Sequence, residues 1–306
     1  MQFYKKHKSM NYTEFKQLVM NNMPENPIPG LWQKKGQPRT HILGNPSTPE
    51  EKAELINKYS LLPKDPPIPP IDCHTIHLHQ YAHHLNSSQI MCYNFFRPLI
   101  DYDDERKMYR PQKSLLKLIE KILNHKIDSN SAECNFEYIE DKKEKTNFDF
   151  YFRQGDIEVF FEIKYTEEEF SRKSSAKNPH AQYESIYKPM IEKAKDIFEN
   201  GTINENDFNT KYYQLARNAI RAISSEKHVF FICPKNHEKL VQQFNEFKSC
   251  LTKEGTERVR LITWEKIVKY AEMDEIGIDV TSFKNRYLAF MPKTMETVCN
   301  ERGRRR

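Results

Sequence analysis

Residues 147–165 read NFDFYFRQGDIEVFFEIKY, and this stretch decides how the chain folds. Aromatic and β-branched residues, which favour strands, fill both of its halves, and Gly155-Asp156 separates them. A two-residue loop that begins with glycine suits a type II′ hairpin turn. If Gly155-Asp156 is that loop, Gln154 pairs with Ile157, and the numbers of paired residues sum to 311. The stretch therefore predicts an antiparallel β-hairpin.

Three charged residues meet on one side of this hairpin. The register places Asp149 opposite Glu162, and the alternation of a strand puts Lys164 on the face of Glu162. Opposed residues have Cβ atoms roughly 4.5–5.5 Å apart, so two carboxylates there repel each other unless a cation lies between them. With the carbonyl of Ile163, they form an oxygen ligand set that suits Mg²⁺ or Mn²⁺. The alternative is a hairpin whose acids simply face water.

The elements around the hairpin predict an α/β fold with a mixed sheet. We expect helices at 49–61, 114–123, 183–199, 211–224, 236–252 and 264–273, strands at 135–140, 147–152, 157–165, 228–233 and 257–263, and a partly helical segment at 76–97. The first three strands can form an antiparallel meander, and the fourth follows a helical crossover, so it can pair in parallel. Residues 1–71 contain most of the 17 prolines and are expected to form an extended N-terminal arm.

Composition limits the class of protein. A formal net charge of +5 permits a nucleic-acid partner, and 12% aromatic residues indicate a real core. The six cysteines include no CxxC pair, which is typical of reduced thiols in a cytoplasmic protein rather than of a disulfide or zinc framework. No apolar run approaches the roughly 18 residues of a membrane span. We therefore expect a cytoplasmic protein with no membrane partner.

The hairpin and its neighbours resemble a known group of nucleases. Asp149, twelve further residues and then Glu162-Ile163-Lys164, in the order α-β-β-β-α-β over about 114–233, resemble the core of the PD-(D/E)xK nuclease superfamily. Phe148 stands where the name of that motif has proline. The strings HLHQYAHHLNSSQ, FFEIKYTEEEF and YYQLARN also look like a bacterial group described as restriction endonucleases.

The resemblance implies a restriction-endonuclease-like nuclease domain over 72–300 that hydrolyses DNA phosphodiester bonds with Mg²⁺ or Mn²⁺. Asp149 and Glu162 would then bind the metal together with the Ile163 carbonyl, Lys164 would assist catalysis, and Gln214 would support it from its helix. Glu120 is a further candidate metal ligand, and Glu137 is a weaker one. The alternatives are a structure-selective repair nuclease or exonuclease of the same fold, and a catalytically idle protein that only binds nucleic acid.

Basic residues near this centre are candidates for contacts with DNA. Arg217 and Arg221 share the polar helix face of Gln214, and Lys173, Lys177 and His180 lie in a polar loop after the hairpin; both sets are equally compatible with a plain solvated surface. Residues 301–306 form a basic tail. His79 and His83 have the spacing of a zinc pair, but a structural or DNA-facing role is favoured. A homodimer is expected if both strands of a symmetric DNA site are cut.

Overall fold

The structure is a computed structural model that describes residues 10–23, 33–34, 37–65, 67–103, 105, 108–127, 131–140, 146–170 and 178–292. Its helices are α1 (Tyr12–Asn21), α2 (Pro49–Tyr59), α3 (Ser88–Phe96), α4 (Lys113–Leu123), α5 (Pro179–Gln182), α6 (Lys188–Lys193), α7 (Glu205–Thr210), α8 (Tyr213–Ala219), α9 (Glu238–Lys248), α10 (Lys253–Arg258), α11 (Trp264–Ala271) and α12 (Thr281–Tyr287). Its strands are β1 (Gln33–Lys34), β2 (Gln37–Pro38), β3 (Ile100–Asp103), β4 (Met108–Pro111), β5 (Glu133–Ile139), β6 (Asn147–Gln154), β7 (Ile157–Ile163), β8 (Lys227–Cys233) and β9 (Val259–Thr263).

A seven-stranded mixed sheet organises the molecule. Its strands lie in the order β3-β4-β5-β6-β7-β8-β9, and β1 and β2 form a separate two-stranded ribbon. The pairs from β3 to β7 are antiparallel, whereas β7–β8 and β8–β9 are parallel. The predicted mixed sheet flanked by helices is confirmed, including the parallel return after the crossover. The edge hairpin β3–β4 was not predicted.

The central hairpin has the predicted register. Gln154 pairs with Ile157, and the ladder continues to Phe150 and Phe161, so every pair sums to 311. Gly155 has φ +57°, and no heavy atom outside Gly155 and its two chain neighbours would lie within 4 Å of a Cβ placed there. A type II′ turn needs this positive φ at its first central position, where glycine has no steric penalty. The turn therefore fixes which residues of β6 and β7 face each other.

An irregularity interrupts β5 and β6 at Glu137 and Asp149. The pairs on either side are Phe136–Phe150 and Tyr138–Phe148. Residues two apart on a strand normally share a face. Here the first pair packs into the apolar core on one side of the sheet and the second into the core on the other side, and Glu137 has φ +51°. The two-residue alternation of a strand would place Phe148 on the face of Phe150. The two side chains lie on opposite faces instead, because both strands turn over between these pairs.

Helices cover both faces of the sheet with apolar side chains. One core contains α3, α4, α11 and α12, and the other contains the residues between β7 and β8 together with α9. Phe15, Val19 and Ile56 of the Pro-rich arm lie in the first core, beside Phe150 and Phe161 of the sheet. The described part of the arm therefore packs as an integral layer of the molecule.

Some predicted helices are shorter than expected. In the segment 183–199 the chain forms a π-helical turn over Tyr183–Tyr187 and then α6, which ends at Lys193. Pro189 has no N–H group and its ring crowds the preceding turn, which accounts for the interruption. Of 76–97, only α3 is α-helical. Among the described residues, no helix is both long and apolar enough to cross a membrane.

Candidate active site

Asp149 sits in the break of the ladder and points at the neighbouring strand. Its Oδ2 atom accepts a hydrogen bond from the backbone N–H of Ile163 at 2.6 Å, and the residue is only 8% exposed. Burial raises the pKa of the Asp149 carboxyl well above its ordinary value, and the negative charges of Glu162 and Glu137 raise it further. Asp149 is therefore held in a buried position where ionisation of its carboxyl group is unfavourable.

Glu162 is oriented by three donors. Its Oε1 accepts from Lys164 Nζ at 2.8 Å and from Gln214 Nε2 at 2.7 Å, and its Oε2 accepts from Asn218 Nδ2 at 3.0 Å. Gln214 and Asn218 are four residues apart on α8, so both amides leave the same helix face. Because α8 belongs to the crossover between β7 and β8, the chain that completes the sheet also fixes Glu162.

Lys164 keeps its charge despite being buried. Burial acts to lower the pKa of Lys164, but the carboxylates of Glu162, Glu167 and Asp149 outweigh that effect and hold the pKa above its ordinary value. A buried ammonium with these neighbours stays protonated at neutral pH. Its position on the face of Glu162 agrees with the predicted alternation.

Glu137 brings a third carboxylate and a histidine to the same region. Its Oε2 lies 2.9 Å from His79 Nε2 and also accepts from Asn147 Nδ2. The hydrogen bond to Glu137 raises the pKa of His79 to about 9, against the opposing effect of burial. His79 is therefore an imidazolium at neutral pH and partly balances the three acids.

Each carboxylate keeps an uncommitted oxygen or lone pair. An ionised carboxylate offers about four acceptor positions. Among the described residues, Asp149 Oδ1 and Glu137 Oε1 have no donor, and Glu162 Oε2 has one. The protein donors therefore occupy the oxygens that hold each side chain in place and leave others available to a ligand.

The three acids do not form one closed ligand cage. In the described part of the chain, only Glu50, Cys73 and His74 make a set of three potential metal-ligating side chains whose ligand atoms all lie within 4.8 Å of one another. An ion held by Asp149 and Glu162 would therefore take its other ligands from the Ile163 carbonyl, water and substrate. Mg²⁺ is commonly bound in that way, through one or two carboxylates with the rest of its shell left to water and phosphate.

The structure does not bring every predicted residue to this centre. Glu120 accepts from the N–H of Ile127 and lies 3.6 Å from Lys126, so it caps the turn after α4. No described hydrogen bond or ion pair joins Glu120 to Asp149 or Glu162. Its place as a third acid is taken by Glu137, which comes from β5.

The predicted DNA-contacting residues have varied surroundings. Arg221 is buried and pairs with Glu140 at 3.0 Å. His180 lies 2.9 Å from Glu205 at the surface. The guanidinium of Arg217 lies 5.2 Å from the ring centre of Tyr213. Lys173, Lys177 and the basic tail 301–306 lie outside the described residues.

Asn218 and His79 were not predicted as members of the centre. Asn218 follows Gln214 by four residues, and that spacing was a usable signal that the two share a face. Nothing in the local sequence places His79 beside Glu137, because 58 residues separate them. Contacts of that range depend on how the segment before α3 crosses the sheet.

Comparison with known proteins gives a family and no closer relative. No curated protein and no solved structure matches the chain. A family model described as "Restriction Endonuclease associating with ARP" (REase-ARP) matches residues 70–288, which include the hairpin, α8 and the segment around His79. Since that match covers well over half of the 306 residues, the chain belongs to the REase-ARP family of restriction-endonuclease-like proteins.

Proposed function

We propose that the chain is a metal-dependent endodeoxyribonuclease of the PD-(D/E)xK type, which hydrolyses DNA phosphodiester bonds in restriction or host defence. One observation carries the proposal. Asp149 and Glu162 are buried on neighbouring strands with the charged Lys164 beside them, and Asp149 is destabilised in its ionised form. Buried like charges are uncommon without a ligand that neutralises them.

The residues present fit Mg²⁺ or Mn²⁺. The available donors are carboxylate oxygens, and such hard ligands favour these ions over softer metals. Burial is the largest cause of the raised pKa of Asp149, and repulsion by Glu162 and Glu137 adds to it. A bound cation would favour the ionised carboxylate against both effects. Once bound, a divalent cation would lower the pKa of a water molecule and neutralise charge on the scissile phosphate.

The protein side chains then have distinct tasks. Asp149 and Glu162 supply ligand oxygens, and the Ile163 carbonyl is expected on the edge of β7 that faces Asp149, since its N–H points there. Gln214 and Asn218 hold Glu162 in one orientation. Lys164 places a positive charge where the phosphate gains negative charge in the transition state.

A catalytically idle nucleic-acid-binding protein is the competing proposal. Such a protein would have no need for a charged lysine buried against Glu162, nor for two amides that fix this carboxylate. The described contacts of Lys164, Gln214 and Asn218 therefore favour an enzyme. A homodimer acting on a symmetric site is proposed only if both strands are found to be cut together.

The test uses a closed circular DNA, which has no ends for an exonuclease. We expect the wild-type protein to nick or linearise supercoiled plasmid with Mg²⁺ and to leave it intact with EDTA. Glu162→Gln should abolish cutting, yet bind DNA in EDTA at least as tightly, because one negative charge near the phosphates has been removed.

Glu120→Gln is the matched control, because it removes an acid that caps its own helix and is not joined to the centre. Normal cutting by Glu120→Gln and none by Glu162→Gln would support the assignment. Cutting by Glu162→Gln at the wild-type rate would place the active site elsewhere.

A further inference from the structure

The His-rich segment before α3 is fastened to the proposed active site at both ends. At its start, His79 bonds Glu137. Seven residues later, Asn86 Nδ2 donates to Thr166 Oγ1 at 2.6 Å, and Thr166 is only two residues beyond Lys164. The residues between these anchors are therefore held close to the centre by its own strands.

A cavity of about 660 Å³ lies between this segment and residues 39–46. Backbone hydrogen bonds join the two walls, from Leu43 N to His83 O and from Leu85 N to His41 O. The volume falls within the roughly 300–1,000 Å³ that is typical of small-ligand sites. The chemistry of the lining then decides what such a cavity can hold.

Two cations and an exposed aromatic ring line the cavity. Arg39 and Lys52 supply positive charge, and Lys52 Nζ is held by the carbonyl of His79 at 3.0 Å. Tyr81 is 61% exposed, and its ring centre lies 5.1 Å from that of His84. A cavity lined by an exposed tyrosine and two cations has the composition of sites where a base stacks and its phosphate is neutralised.

The histidines of the cavity are neutral, and one has a polar atom without a partner. Burial is the main cause that lowers the pKa of His41, His83 and His84 to about 4 each, with contributions from Arg39 at His41 and from Lys52 at His83. Neutral imidazole offers one donor and one acceptor. His83 is only 9% exposed, and its Nδ1 has no hydrogen-bond partner among the described residues. The lining histidines therefore add no charge to the cavity, and its cations are Arg39 and Lys52.

We propose that this cavity binds one unstacked nucleotide of the DNA strand that the proposed active site cuts. Its base stacks on Tyr81, and Arg39 and Lys52 neutralise its phosphate. The proposal rests on the proposed function for the identity of the strand. A base inside a duplex cannot enter, so the nucleotide is either single-stranded or rotated out of the helix.

The test measures binding in EDTA, where no cutting occurs, with single-stranded and duplex oligonucleotides. One base at a time is removed along the strand to leave an abasic position. We expect wild-type affinity to fall about tenfold when the missing base is the one that occupies the cavity. Tyr81→Ala should bind intact DNA about as weakly as the wild type binds the abasic DNA. Removing that same base should then cause no further loss of affinity in Tyr81→Ala.

Tyr102→Ala is the matched control, since Tyr102 is a partly exposed tyrosine on the outer strand β3. It should bind like the wild type and keep the abasic response. Arg39→Gln should reduce the slope of log affinity against log salt by about 0.9, the share of one phosphate contact.

The two proposals fail differently. A protein whose DNA binding depends on Tyr81 in this way, but which never cuts DNA with Mg²⁺, would overturn the proposed function and support the nucleotide subsite. An active nuclease whose abasic response survives Tyr81→Ala would overturn the subsite alone. A protein that binds neither oligonucleotide would overturn the subsite as well.

Discussion

At the level of single residues, charge balance explains the unusual state of Asp149. Lys164 and His79 carry positive charge, while Glu137, Glu162 and Asp149 are the nearby acids. Glu167 adds a further negative charge beside Lys164, so the acids outnumber the two cations and ionisation of Asp149 increases that excess. Burial makes any excess charge costly, so the proton is retained more strongly than in water, and a divalent cation is the natural competitor for that position.

Asp149→Asn is expected to stabilise the metal-free protein at neutral pH. Since the pKa of Asp149 is raised in the folded state, the folded protein binds more protons than the unfolded chain between the ordinary carboxyl range and that raised value. The contribution of this residue to stability is therefore present at low pH and is lost as pH rises through the window. Urea unfolding in EDTA from about pH 5 to pH 8 measures it.

The free energy of unfolding of the wild type, minus that of Asp149→Asn, should become more negative as the pH rises. Adding Mg²⁺ should remove this difference at the alkaline end of the pH range. A difference that stays constant with pH would show that Asp149 is not perturbed.

Lys164→Ala and Arg217→Ala should impair the proposed reaction in different ways. Lys164 touches Glu162, so its loss should lower the single-turnover rate by about 10²–10³-fold. Arg217 is a partly buried residue of α8, and its replacement should mainly raise the DNA concentration needed and flatten the salt dependence of binding by about one phosphate contact. Single-turnover kinetics with salt-titrated binding separates the two. Weak binding but normal cutting at saturation in Lys164→Ala would refute this division of roles.

At the level of elements, the sequence predicted those features that depend on neighbouring residues, such as a turn and the alternation along a strand. The Gly155-Asp156 turn fixed the register of β6 and β7, and the alternation then placed Lys164 beside Glu162 correctly. Edge strands β3 and β4 were not predicted, because each has only four residues. The residues between them, 104–107, also contain no glycine, proline or asparagine to indicate a turn. The break at Glu137 was not predictable, since φ +51° at a glutamate has no sequence signature.

Gly155→Ala tests the turn as the element that sets the register. At φ +57° an alanine pays about 1–2 kcal/mol that glycine avoids, and the open space around the position means that no clash adds to this. We expect the free energy of unfolding to fall by about that amount. Gly155→Asn should lose less, because asparagine tolerates the left-handed region better. Equal losses for both variants would point to a different turn geometry.

At the level of the whole molecule, the arm and the sheet share one core. Asn94, on α3, is a polar link between the arm and the helices that cover this face of the sheet: Oδ1 accepts from Leu62 N at 3.0 Å, and Nδ2 donates to Ser60 O at 3.0 Å and to Tyr287 Oη at 2.8 Å. Only 3% of this residue is exposed. A single amide therefore joins the end of α2, α3 and α12.

Asn94→Ala should lower the free energy of unfolding by about 2–4 kcal/mol, because it leaves several buried polar groups unpaired. Asn57→Ala, which removes two hydrogen bonds to the backbone of Ile71 at a half-buried place, should cost less, about 1–2 kcal/mol. Chemical denaturation of both variants provides the measurement. Wild-type stability in Asn94→Ala would mean that apolar contacts alone hold the arm.

The crossover between β7 and β8 also determines when the site around Asp149 and Glu162 can be completed during synthesis on the ribosome. Lys164 is made about seventy residues before Cys233, where β8 ends. At roughly 5–20 residues per second, several seconds pass in which Asp149 and Glu162 exist without the amides of α8 or the strand that seats them. The newborn chain therefore cannot complete the centre of the proposed nuclease until synthesis has passed the crossover.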